Sequence, residues 1–156
     1  MKHLLIFLTI ILALSCCGQD KDAFTKRVEQ YFTKENIQFK PSQQNILIIP
    51  GGGCPGCIAS GISFVKENQK AFSNKQEKNF IVFTGITSRK ILYRRLNDID
   101  LQNMNVIIDT NDRYKVDFEA CEYPLVLYLS HGDIRKAESQ SPESDALEHL
   151  TDELYK

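Results

Sequence analysis

Two cysteines, Cys54 and Cys57, stand two residues apart in the stretch NILIIPGGGCPGCIASGISFV, from Asn45 to Val65. A thiol attacks as its thiolate, and the first turn of a helix favours that anion through free N–H groups and the positive end of the helix dipole. A second thiol one turn on can displace whatever the first has captured. The apolar run before the pair ends in Pro50 and Gly51-Gly52-Gly53, and a helical pattern follows it. That order puts the dithiol at a strand-to-helix junction, where redox exchange is the chemistry to expect.

The chain has 156 residues, which suits one domain, and five cysteines. Residues 1–15 carry Lys2 and His3, then LLIFLTIILAL, an apolar core short for a membrane span, so the segment is expected to be a secretion signal. An uncleaved anchor is the alternative. Ala13-Leu14-Ser15-Cys16 resembles a bacterial lipobox, which implies cleavage before Cys16 and lipid modification of that residue; Cys17 offers a second register. The lipid would hold the chain at a membrane surface. Residues 16–22 then form a tether whose GQDKD resembles the surface-export signal of Bacteroidetes lipoproteins.

With 19 basic against 20 acidic residues and no basic block, the composition gives no electrostatic footprint for nucleic acid. Setting aside Cys16 and Cys17 leaves Cys54, Cys57 and Cys121, an odd count that argues against a purely structural disulfide framework. Cys121 is either a buried, inert residue or a third reactive thiol near the pair.

The elements that must position the dithiol follow from periodicity. Phe24, Val28, Tyr31 and Phe32 share one face of a helix over 23–34, capped by Asp22 and lying on the domain. Ile46 to Ile49 suits a strand buried on both faces. A helix over 57–69 presents Ile58, Ile62 and Val65, with Gly61 costing it about 1 kcal/mol. Phe80 to Phe83 is a second strand. A helix capped by Thr87 or Ser88 runs to Leu96, with Ile91, Leu92 and Leu96 inward and Arg89, Lys90, Arg94 and Arg95 on a solvated face. Val106 to Ile108 is a third strand, and residues 113–118 are a short helix or irregular. Leu125 to Leu129 and Ile134 to Ala137 form a hairpin about Ser130-His131-Gly132-Asp133. A last helix starts at Ser141-Pro142-Glu143 and buries Ala146, Leu147, Leu150 and Leu154. Alternation followed by an antiparallel pair implies an α/β fold with a central mixed sheet flanked by helices.

Strand–CPGC–helix, then Glu122-Tyr123-Pro124 and the closing SHGD hairpin, resemble a thioredoxin-like domain. The longer middle section with VIIDTND is similar to the redoxin branch of thiol-disulfide oxidoreductases, the TlpA and ResA kind. The resemblance covers residues 45–156 as the core of a domain over 23–156. It implies that Cys54 attacks, that Cys57 resolves, and that Pro124 is a cis-proline facing the pair. Gly53, Pro55, Tyr123 and Pro124 would contact the substrate. Gly53 departs from the family, which usually carries an aromatic before the first cysteine. The implied protein exchanges disulfides with envelope proteins and a redox partner, as a monomer anchored by lipid, with no cofactor and no resident metal.

Two other readings stay open. One is a non-catalytic binding lipoprotein whose Cys54–Cys57 disulfide is only structural. The other is a carrier that holds a soft ion such as Cu(I) on Cys54, Cys57 and Cys121. A lone CxxC falls short of the four ligands of a structural zinc site, and His131 and His149 fit surface roles.

Overall fold

The structure, a computed structural model, describes residues 21–73, 75, 77–116 and 122–155. Helix α1 (Ala23–Lys34) comes first, and the Asp22 carboxylate accepts the Thr25 N–H at its start. Strand β1 (Asn45–Pro50), helix α2 (Pro55–Glu67) and β2 (Asn79–Thr84) follow, with a 3-10 turn at Gln69–Phe72 between the last two. Helix α3 (Arg89–Arg95) and β3 (Val106–Ile108) complete the parallel part. Then come β4 (Leu125–Ser130), β5 (Asp133–Ser139) and α4 (Ala146–Leu154).

The five strands make one sheet in the order β3-β2-β1-β4-β5. β1, β2 and β3 run parallel, while β4 is antiparallel to β1 and to β5. The expected mixed sheet with helices on both faces is therefore present. Every residue of β1 is buried because it is the central strand. Its side chains alternate between two cores: Leu47 and Ile49 meet α2, α3 and α4, whereas Ile46 and Ile48 meet Val28 and Phe32 of α1. Each such aliphatic side chain contributes roughly 1.5–3 kcal/mol by leaving water.

Polar groups set the register where burial alone would not. The Asn45 amide donates to Asn79 at 2.9 Å, directly across β1 and β2, and the Asn79 amide donates to the Ala71 carbonyl at 2.9 Å. Both asparagines are buried, so a slip of one residue would strand these groups without partners. Thr25, fully buried, accepts the Ala137 N–H at 3.0 Å and joins α1 to β5. The apolar periodicity of α1 gave no sign of that link.

Two local expectations need correction, and one open alternative is settled. Ile91 is 52% exposed, while Leu92 of α3 and its C-cap Leu96 are buried. The last helix begins at Ala146, not near Ser141. The Ser141 and Ser144 side chains hydrogen-bond to the backbone there and make a turn around Pro142, while the Gln140 side chain accepts the Leu147 N–H at 2.9 Å. Residues 113–116 are irregular, and Arg113 donates to the carbonyls of Glu35 and Asn36 at the end of α1.

Candidate thiol site

The dithiol lies beyond the C-terminal ends of the parallel strands, where open α/β sheets gather their ligands. Cys54 is the N-cap of α2 and Pro55 its first residue, where a missing N–H costs nothing. The Cys57 N–H points at the Cys54 sulfur across 3.3 Å. A sulfur thus takes the place of the usual capping oxygen. Cys54 is half-buried and Cys57 buried, with both present as free thiols.

Their acidities are pushed apart. The Cys57 thiol, then the Cys57 N–H, donate to the Cys54 sulfur and hold its pKa below that of an ordinary thiol. Partial burial and the Glu122 carboxylate oppose this, and the Gly56 N–H supports it. Cys57 moves the other way: its proton is held by the hydrogen bond to Cys54, and desolvation and the neighbouring thiolate charge add to the rise. The arrangement yields one nucleophile and one retained proton at the same pH.

The triglycine is a packing device. A Cβ on Gly51 would lie 2.3 Å from the Gly85 carbonyl oxygen, and one on Gly53 would lie 2.6 Å from the Glu122 Cα. Gly53 also adopts φ +116°, a conformation that L side chains rarely take. Gly52 meets nothing within 4 Å. The Cys54 N–H then donates to the Glu122 carbonyl at 2.9 Å, fixing the loop before β4 against the attacking residue. Glu122 had no signal of its own in the sequence beyond standing before Tyr123-Pro124. A side chain in place of Gly53 would displace this contact.

Tyr123 is half-buried beside the pair. Burial first, then the charges of Cys54 and Glu122, raise its phenol pKa. Pro124 is buried, with its Cγ 3.2 Å from where a Cβ on Gly61 would stand. Gly61, read from sequence as a cost to the helix, is what lets α2 close on Pro124 and Ile49. The expected cis bond is absent: no described peptide bond is cis, and Tyr123–Pro124 is trans. Trans is the intrinsic preference of an X–Pro bond, and a proline just ahead of β4 loses no ladder hydrogen bond. Its carbonyl accepts the Gln140 N–H at 2.7 Å.

The structure therefore brings Cys54, Cys57, Gly53, Pro55, Tyr123 and Pro124 to one end of the sheet. Cys121 and Cys16 lie outside the described residues. Among the described residues no group of three or more His, Cys, Asp or Glu is arranged to hold a metal ion, and no helix is long and apolar enough to cross a membrane. No family model, curated protein or solved structure compared with this chain matches it.

Proposed function

We propose that the protein is a thiol-disulfide oxidoreductase of thioredoxin-like architecture, exchanging disulfides with other proteins through Cys54 and Cys57. The observation that carries this reading is the half-buried Cys54 sulfur at the N-cap of α2, accepting the Cys57 N–H at 3.3 Å, with the two thiol acidities pushed apart. A purely structural disulfide has no use for a half-exposed, acidified Cys54. The copper reading needs Cys121, which lies outside the described residues.

The exchange is balanced within the two proteins. The Cys54 thiolate attacks one sulfur of a partner disulfide, that S–S bond breaks, and the partner's other sulfur leaves as a thiolate. Cys57 then gives up its proton and attacks the Cys54 sulfur, so the partner's first sulfur leaves too. Two electrons pass to the partner, which ends as a dithiol, while Cys54 and Cys57 end as a disulfide. Run backwards, the same steps oxidise a dithiol. Tyr123 stands near enough to the sulfurs for their charge to act on its phenol, and export with a lipid at Cys16 would confine the exchange to the cell envelope.

Trapping tests the reading. With Cys57→Ser the second step is blocked, so reducible mixed disulfides between Cys54 and partner proteins should accumulate in cells. No disulfide-linked species in Cys57→Ser, together with a Cys54 pKa at or above that of a free cysteine, would overturn it. Labelling with a fatty-acid analogue, lost in Cys16→Ala, tests the anchor.

A further inference from the structure

A groove opens beside Cys54, lined by its chain neighbours Gly53 and Pro55. One part, about 440 Å³, runs between Gly51-Gly52-Gly53 and α2, with Ile58 and Ile62 on its floor and Lys66 and Arg95 at its rim. A smaller part of about 130 Å³ shares Gly51, Ile58, Ile62 and Arg95 and continues towards Ile86 and Ile91 of the α3 side. The floor is aliphatic and the far rim is basic. Helix α3 adds to that charge, since four of its seven residues are Arg89, Lys90, Arg94 and Arg95 and none is acidic. Among the described residues no carboxylate pairs with any of these four, while Lys66 is held by Asp98 at 3.1 Å.

The near wall of the groove is main chain. Gly52 is exposed with open space where a side chain would stand, and neither Gly52 nor Gly53 donates its N–H to a described residue. A polypeptide can therefore approach edge-on and use those donors, as an extended segment does at a free strand edge. An acidic residue, Glu122, also flanks Cys54.

On the reading that Cys54 exchanges disulfides with proteins, we propose that this groove selects the partner by docking an extended segment next to the partner's cysteine. That segment carries an aliphatic side chain for the Ile58–Ile62 floor and a carboxylate for Arg95. Complementary charge acts mainly on encounter and on the rejection of wrong partners, and it weakens with salt. Arg95 can grip a carboxylate through two parallel hydrogen bonds, a specificity that a point charge lacks.

Binding can be measured without redox chemistry. Fluorescent peptides with Ser in place of the redox cysteine, flanked by Leu and Asp or by Leu and Lys, are titrated with the full-length protein by anisotropy. The acidic peptide should bind about tenfold tighter at low salt, and the preference should shrink at high salt. Arg95→Glu should erase or invert the preference, and Arg95→Gln should erase it. Equal binding of the two peptides, or a preference unchanged in Arg95→Gln, overturns the proposal. Equal adhesion of both peptides with strong binding to anionic phospholipid vesicles also overturns it and assigns α3 to a membrane surface. Exchange itself is followed separately, by wild-type reaction with a small aromatic disulfide, so a failed groove and a failed dithiol give different results.

Discussion

Glu138 on β5 accepts hydrogen bonds from Lys136 at 2.8 Å and from His149 on α4 at 3.1 Å, and the buried Tyr128 shares the same carboxylate. At the thiol end, by contrast, Arg94 and Arg95 have no described acidic partner, and the closest approaches are made by backbone at Gly51 and Gly53. The first region consumes its charges in holding α4 to the sheet. The second closes its loops with glycine and leaves its charges facing outward. Surface ion pairs contribute little to stability, so cations without a described acidic partner cost the fold almost nothing.

The acidities repeat the contrast. Burial alone would raise the Glu138 carboxyl, but hydrogen bonds from Lys136, Tyr128 and His149 outweigh it and hold the pKa below the usual carboxylate value. Burial and that carboxylate push the Tyr128 phenol well up. The Glu138 carboxyl and the Tyr128 phenol are each held in one protonation state near neutral pH. Cys54 and Cys57 are instead driven in opposite directions, which places a change of charge within reach of ordinary conditions.

The largest effect that would break the comparison is at Cys54. Cys54→Ser should abolish exchange with protein disulfides while leaving thermal unfolding close to that of the reduced wild type; retained exchange would show that the working thiol lies elsewhere. Next is the glycine loop. Gly53→Ala must hold an alanine at φ +116° with its Cβ against Glu122, and should lose about 1–3 kcal/mol in urea unfolding. Gly52→Ala, in open space, should stay within about 0.5 kcal/mol of wild type. Equal effects at the two positions would mean that the triglycine is not packed as described.

Gly61→Ala sharpens the same point inside α2. Helix propensity favours alanine by about 1 kcal/mol, whereas the Pro124 Cγ at 3.2 Å must give way. Pro124 is buried and its ring is stiff, so a net loss of about 1 kcal/mol is expected in urea unfolding; a gain in stability would show the contact to be soft. The smallest effect belongs to the clasp. Because the folded pKa of Glu138 is depressed, its stabilisation is present above the unfolded value and is lost as pH falls through the folded one. Glu138→Gln should therefore cost about 0.2–1 kcal/mol at pH 7, and the difference should vanish in acid below the ordinary carboxylate range. Chemical unfolding at the two pH values checks this.

Much of this architecture was legible because periodicity and burial agree. Ile46 to Ile49 had to be a central strand, and β3 falls over Val106–Ile108 as its short apolar run implies. Cys54 at a helix start follows from Pro55 and the apolar spacing behind it. Other features depend on which distant segments meet. Nothing near Gly53 in the chain announces Glu122, and a glycine within a helical pattern looks like a defect until Pro124 is seen against it. The Ser141-Pro142-Glu143 signal misled because serine side chains serve turns as readily as helix starts. Ile91 fitted the apolar pattern of α3 but lies at the groove rim, half exposed.

The most direct test is the pH dependence of alkylation of each cysteine in the reduced wild-type protein, resolved by peptide mass spectrometry. The account predicts that Cys54 is modified first, with a midpoint below the ~8.5 of a free thiol, and that Cys57 reacts only at higher pH. Cys57 reacting first, or both thiols titrating together at or above the free value, would contradict it.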